Sequence, residues 1–462
     1  MGLFFKLFFC FLAVLLCNVD FIEAKKPTVV CYVAAWASYR GKFNIKDSDA
    51  QHCTHVIYAF MRINENTSEI RSADPLLDFE ENNGKGQLKE LSVLKTRNPN
   101  IKILASVGGY LEGTVKFSEV ARTSSMKNTF INSLIKFIRD WNLDGIDICW
   151  QFPGGRTDDR QNFIKLLKDI KRVFEPEGWI LTVHIIAHRH RIYDGYDVKA
   201  ISQVVDYINL AAVEYHGPWK KTTGIMAPLN SSNENSVTYM VDLIVKRGAI
   251  ASKILLGLPT YGHAYITKEK IRSDKYLGLT SDEAYASPWT NERGIIAYNE
   301  MCINLKNSSG WTEIFDENSS TPIAYKDNIF ISFDNKKSLI EKAKLVNSYH
   351  LGGIMLWSLD MDDFSGQCHN KKYPMLSAVT DYLISEAENA SNQDNTQFST
   401  PDSKKINLNT FESTDDQLNL NSSQPKEGKD TSPNKGGNQV NKVQTVNIIT
   451  MLISYIFYMM SL

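Results

Sequence analysis

The sequence predicts an α/β fold, a (β/α)8 TIM barrel carrying a small inserted α+β subdomain between its seventh and eighth strands. Three observations predict it. Eight short apolar runs recur between residues 28 and 360. They are rich in Val, Ile and Leu on both faces, as parallel strands buried on both sides must be. Amphipathic helical patterns separate most of them, and a succession of strand and helix closes naturally into a barrel.

In order, the runs are TVVCYVAAW (28–36), HVIYAFM (55–61), IKILASVGG (101–109), LDGIDICW (143–150), WILTVHIIA (179–187), VDYINLAAVEY (205–215), KILLGLPTYG (253–262) and LGGIMLWSLD (351–360). NTFINSLIKFIRDWN and RQNFIKLLKDIKRVFE, between strand runs, place apolar residues three and four apart, the mark of a helix with one buried face. The gap between the seventh and eighth runs is too long for one helix. Residues 264–340 contain further strand-like runs, GIIAYNEM and PIAYKDNIFISFD, and are expected to form the inserted subdomain. The barrel as a whole is expected over 25–385.

The two ends lie outside that pattern. Residues 1–24 carry one Lys, an apolar run of about eleven residues and a small residue, Ala24, and read as a secretory signal peptide. Asn66, Asn230, Asn307, Asn318, Asn389 and Asn421 are glycosylation acceptors of the Asn-x-Ser/Thr type. Residues 386–445 are Ser, Asn, Asp, Gln and Lys with few apolar residues, and are expected to be a disordered polar linker. The 17 residues 446–462 are mostly apolar. With the small residues around Gly436 and Gly437 and a polar spacer before them, they read as a glycosylphosphatidylinositol (GPI) attachment signal, so that a membrane partner reached through a C-terminal lipid anchor is expected. A C-terminal transmembrane segment is the alternative. The expected location is the secretory pathway or the outer cell surface. With a formal net charge of −1 and no basic block, nothing asks for nucleic acid. No cofactor and no metal-ligand set is expected.

Of seven cysteines, Cys10 and Cys17 fall in the signal peptide, leaving Cys31, Cys53, Cys149, Cys302 and Cys368. Five is odd, so one is free, and Cys149 is the expected one because it sits inside a buried strand. The residues alone leave the pairing open.

The fourth run, LDGIDICWQFP (143–153), is the chemically informative one. Asp144 and Asp147 are expected at the C-terminal mouth of its strand. Stepping on by twos, the pleat next presents Cys149 and Gln151, a thiol and an amide.

Four ordered stretches, SVGGY, DGIDICWQFPG, LGLPTYGHAY and GGIMLWSLDMDDFSGQC, resemble the secreted chitinases and chitinase-like proteins of glycoside hydrolase family 18, and the resemblance runs from Val29 to Leu383. It implies the disulfides Cys31–Cys53 and Cys302–Cys368. It also implies that the fourth strand should carry four acids in the pattern D-G-x-D-x-D-x-E. Asp144 and Asp147 match the first two; Cys149 and Gln151 replace the third and fourth. In the family the last Glu protonates the glycosidic oxygen and the acid before it holds the substrate N-acetyl group, a substrate-assisted route. An amide has no proton to surrender, and general acid help is worth roughly 10²–10⁴-fold. The family's M-x-Y-D on strand six is here Ala211, Val213 and Glu214, and its Arg after the seventh strand is His263. Glu214 is conceivable as a substitute acid, though from another strand. Asp158 and Asp159 read as a solvated face.

The resemblance assigns Tyr32, Trp36, Phe60, Tyr110, Trp219 and Trp357 to a sugar groove, where flat rings stack on pyranose faces. Core packing is the competing reading, for Tyr32 and Phe60 above all; Trp357 is expected at the groove floor. Trp150 is expected to point outward into the helix layer. D-x-C-x-Q followed by Phe-Pro is also similar to the insect imaginal disc growth factors, which replace the same Glu by Gln, whereas the short loop PGGRTDDRQNF is closer to ordinary chitinases. The expected function is a catalytically inactive chitinase-like protein that binds chitin or N-acetylglucosamine oligosaccharides. A weakly active chitinase, and a growth-factor-like protein with a cell-surface receptor and a vestigial groove, are the alternatives.

Overall fold

The computed structural model describes residues 26–397, omitting 41, 42, 49, 308 and 309. The expected signal peptide, the linker beyond 397 and the C-terminal hydrophobic segment lie outside the described residues.

Eight strands form the barrel: β1 (Thr28–Ala34), β2 (His55–Ile63), β3 (Lys102–Gly108), β4 (Gly145–Cys149), β5 (Ile180–Ile186), β6 (Tyr207–Ala211), β7 (Ile254–Pro259) and β8 (Gly353–Trp357). Each pairs in parallel with the next, and β1 pairs with both β2 and β8, so no edge is left open. Strand alternation divides their side chains. Val30, Tyr32, Ile57, Leu104, Leu255 and Met355 fill the barrel interior. Val29, Val33, Val56, Ile103, Ile146 and Ile148 face the helices.

The helices bury the faces that their spacing predicts. On α1 (Ser124–Asp140) these are Phe130, Ile131, Leu134, Phe137 and Ile138. On α2 (Asp159–Phe174) they include Phe163, Leu166, Leu167, Ile170 and Phe174. Each fully buried Leu, Ile or Phe contributes about 1.5–3 kcal/mol relative to exposure. Ahead of α3 (Val237–Lys246), Ser236 accepts from the Tyr239 amide and satisfies one of the helix's unpaired N–H groups. Asn335 and Ser338 close a reciprocal capping box at the start of α4 (Lys336–Ser348).

Three boundaries differ from expectation. The seventh run breaks at Thr260. β7 ends at Pro259, and a new strand, Tyr261–Thr267, enters a second, antiparallel sheet of six strands. Thr260 makes the joint: its hydroxyl donates to the Ser358 carbonyl at 2.7 Å and accepts from the Ser358 amide at 2.9 Å, tying β7 to the end of β8. The inserted sheet therefore spans Tyr261 to Ser332 and includes the helix Tyr298–Asn307, whereas α4, beginning at Lys336, belongs to the barrel. Lastly, α5 runs from Pro374 to Gln397. The linker expected from 386 thus begins as helix, because a polar composition without Pro or Gly does not stop a helix already nucleated on packed turns.

Cys31–Cys53 and Cys302–Cys368 are disulfides, and Cys149 is a free, buried thiol. Asn66, Asn230, Asn307, Asn318 and Asn389 are all exposed.

Candidate functional site

The site is built around Asp147, the middle residue of β4, which is fully buried in the barrel interior. Its Oδ2 accepts from Ser106 at 2.6 Å and from the Tyr32 hydroxyl at 3.0 Å. Its Oδ1 accepts from Thr182 at 2.6 Å and from the Asn209 amide at 3.1 Å. Donors on β1, β3, β5 and β6 thus converge on one carboxylate, as they must if a charge is to sit in so apolar a place. Burial and the neighbouring Asp147 charge push the Tyr32 hydroxyl well above its ordinary range, so it stays a neutral donor.

Two residues on, Cys149 faces the same way. Burial, then the Asp147 charge, raises its thiol well above the usual value, and a thiol held neutral is a poor nucleophile. Gln151, half-buried, directs its Nε2 to the Cys149 sulfur at 3.4 Å. The two substituted positions therefore pair with each other: the amide has no acidic proton, and the thiol holds its own tightly.

The glycines of SVGG let β3 press against this strand. A Cβ on Gly108 would meet the Cys149 carbonyl at 2.2 Å, and one on Gly109 the Phe60 ring at 2.8 Å; both have positive φ, at +119° and +83°.

Above Asp147 lies a layer of rings. Trp357 is its hub, with ring centroids 5.2 Å from Tyr32, 5.7 Å from Phe60 and 6.5 Å from Trp36. Trp36, Phe60 and Trp357 are half-buried and present surface at the mouth, whereas Tyr32 is fully buried and belongs to the core. Tyr110 stands half-buried on the turn after β3. Trp219 lies in a different group, edge-on to His263 at 5.2 Å. Trp150 faces outward, stacked on Phe117 at 5.4 Å, with its indole N–H donating to Thr114 at 2.8 Å.

In the His263 group, Glu214 Oε1 accepts from Tyr261 at 2.8 Å and lies 3.4 Å from His263 Nε2. Burial pulls this carboxyl up, but the neighbouring His263 and the hydrogen bond from Tyr261 outweigh it and leave the group below the ordinary glutamate range. A carboxylate held ionised is a poor general acid. Val213 is buried against Ala211 and the barrel interior, with no polar function.

Two expectations need correction. Asp144 is not at the mouth. It precedes β4 at the barrel's opposite end, where it pairs with Lys95 at 2.7 Å and Lys102 at 3.5 Å and accepts from the Ile103 amide at 2.8 Å. Two residues of extended chain, Gly145 and Ile146, separate it from Asp147, enough to carry it to the floor. Asp159 is not solvated: it is fully buried, accepting from Ser118 at 2.5 Å and from the Arg156 amide at 2.9 Å, so it pins the loop after β4. Asp158 is exposed, as expected. Sequence reasoning also missed Ser106, Thr182, His184 and Asn209. Their signal was available: each is a polar residue at an inward position of an otherwise apolar strand.

Residues 28–362 match the domain of glycosyl hydrolases family 18. The chain belongs to this family. Its family 18 relatives include probable chitinase 2 of Drosophila melanogaster, 35% identical over 356 residues that cover 74% of this chain and 73% of the relative. Among solved family 18 structures, the Group IV chitinase of Ostrinia furnacalis superposes with a TM-score of 0.73 at 34% identity, covering 78% of this chain and all of that one. Human YKL-39, described as a pseudo-chitinase with retained chitooligosaccharide binding properties, superposes with a TM-score of 0.70 at 31% identity over 78% of this chain and all of its own. A chitinase and a described pseudo-chitinase are thus both similar to this chain, and Cys149 and Gln151 are among the positions where it departs from the pattern that the resemblance implies, with Ala211, Val213, Glu214 and His263.

Proposed function

We propose that this protein is a catalytically inactive, chitinase-like protein that binds chitin or N-acetylglucosamine oligosaccharides. One observation carries the proposal. Where the family pattern places its proton donor, Gln151 spends its amide on the Cys149 sulfur at 3.4 Å, and Cys149 is neutral and buried. The half-buried layer of Trp36, Phe60 and Trp357 supports retained binding, since a ring stacks on a sugar face with no acid present. Retained binding in the pseudo-chitinase YKL-39 favours the same reading. The test is purified protein incubated with chitotetraose and, in parallel, with chitin beads. Retention on the beads without sugar release is expected. Release that follows the protein through purification and disappears in Gln151→Ala would overturn it.

Passage through the secretory pathway is part of the proposal. Two disulfides suit an oxidising compartment, and the acceptor asparagines at 66, 230, 307 and 318 are exposed. Lipid anchorage through the segment 446–462 is proposed from sequence alone. Release of the protein from intact cells by a phosphatidylinositol-specific phospholipase is expected; protein that stays on the membrane with Leu462 intact would show a transmembrane tail instead.

A further inference from the structure

The chain leaving β5 reads Ala-His-Arg-His-Arg, residues 187–191. It runs from Glu214, beyond the end of β6, to Phe152, beyond the end of β4. His188 Nε2 lies 3.0 Å from the Glu214 carbonyl, beyond the end of β6. Arg191 reaches the other way, with its guanidinium carbon 4.1 Å from the ring centroid of Phe152, the residue after Gln151. Arg156, Arg160 and Arg189 have carboxylate partners, Glu119 at 2.5 Å, Asp197 at 3.8 Å and Glu234 at 3.4 Å, whereas Arg247 lies over Tyr193 at 4.2 Å. Arg191 is half-buried and, among the described residues, has no carboxylate within 4.0 Å and no hydrogen-bond acceptor.

A guanidinium offers five N–H donors and accepts nothing. Its seat over the Phe152 ring restrains the guanidinium, so less is left to order on binding. The same stacking covers one face of Phe152 and denies that face to a sugar. What this side of the groove presents is therefore a fixed, unpaired cation and not a bare ring.

We propose that Arg191 is a ligand-binding residue, donating to an oxygen acceptor on the sugar unit beside Gln151 and selecting against a unit that carries a free amino group there. An N-acetylated unit brings a carbonyl acceptor. A deacetylated unit brings an ammonium, which has only donors and the same charge as the guanidinium. This inference rests on the chitooligosaccharide reading above and adds to it a preference for acetylated over deacetylated ligand.

The test is calorimetry with chitohexaose and with the fully deacetylated glucosamine hexamer, on the wild-type chain and on Arg191→Gln, Arg191→Lys and Arg191→Glu, with thermal melts confirming that each variant is folded. Wild type should bind chitohexaose and discriminate against the glucosamine hexamer. Arg191→Gln should weaken chitohexaose binding about tenfold or more, the scale of a lost hydrogen bond to a charged group. Arg191→Lys should recover only part of it, and Arg191→Glu should gain affinity for the glucosamine hexamer. Chitohexaose binding unchanged within about twofold in Arg191→Gln, or equal wild-type affinity for the two hexamers, overturns the role of Arg191 and leaves the binding function standing. No wild-type binding of chitohexaose overturns the binding function itself, and Arg191's role falls with it.

Discussion

Gln151 and Cys149 are coupled, and that coupling governs what a single reversion can do. Gln151→Glu restores a proton donor, but its neighbour is still a thiol, and Val213 still offers no hydroxyl to a reacting sugar. Glutamate at 151 alone is therefore expected to leave chitotetraose hydrolysis near background. Gln151→Glu with Cys149→Asp should raise it measurably, since general acid help is worth roughly 10²–10⁴-fold once its partner is present. A single variant as fast as the double would show that Cys149 is no obstacle. Asp147 makes a second case. Removing it in Asp147→Ala strands the buried donors of Tyr32, Ser106, Thr182 and Asn209. Each unsatisfied group costs about 1–3 kcal/mol, so a loss of about 3 kcal/mol or more is expected in urea unfolding; a loss under about 1 kcal/mol would mean the cradle is not structural. The alternation in DGIDICWQ made Cys149 and Gln151 legible from sequence. Asp144 and Asp159 were misread because a carboxylate looks the same in sequence whether Lys95 holds it at the barrel floor, Ser118 buries it in a loop, or water surrounds it.

Among the secondary-structure elements, the same blindness applies to charges inside amphipathic helices. Nothing in the sequence marks Lys342, on α4, as a buried charge. In the structure Lys342 is fully buried, its Nζ 2.6 Å from both oxygens of Asp334, which is also fully buried and accepts from Ser338. Lys342→Met leaves Asp334 buried and uncompensated and should cost about 3–5 kcal/mol, whereas adding Asp334→Asn should recover much of that. Urea unfolding of the two variants decides it: a double variant as unstable as the single would show that the loss comes from packing and not from charge. The barrel floor carries a pH effect of definite sign. His55, at the start of β2, is lowered to about 4, chiefly by burial. The unfolded value is about 6.5. Between those values the unfolded chain takes up a proton that the folded chain refuses, so stability is fully present above about pH 6.5 and falls on acidification towards pH 4. The contribution is on the order of 3 kcal/mol. His55→Gln should flatten the wild-type decline between pH 7 and pH 4.5; an unchanged decline would place its origin elsewhere.

For the molecule as a whole, the barrel was legible because its evidence is distributed: eight apolar runs in order, with four motifs at the mouths of their strands. The break at Thr260 was not, since KILLGLPTYG is apolar throughout and only the hydrogen bonds to Ser358 divide it between two sheets. That division matters for how the two layers hold together. The inserted sheet leaves the barrel at Thr260 and returns at α4, and a covalent tie reinforces the junction: Cys302, on the helix Tyr298–Asn307, is bonded to Cys368, beyond the end of β8, across a sequence separation of 66. Cys31–Cys53 closes only 22 residues, within the barrel itself. In the chain-entropy account the longer loop restrains the unfolded chain more, giving about 4 kcal/mol against about 3 kcal/mol for the shorter. Cys302→Ser with Cys368→Ser is therefore expected to lose more stability than Cys31→Ser with Cys53→Ser, in urea unfolding without reductant. Its loss should be larger in the inserted sheet, read as faster amide exchange along Thr321–Lys326 and Ile329–Ser332 than along β1 and β2. Equal exchange in both layers, or a Cys302–Cys368 variant as stable as wild type, would mean that Thr260 and the packed strands alone hold the insertion to the barrel.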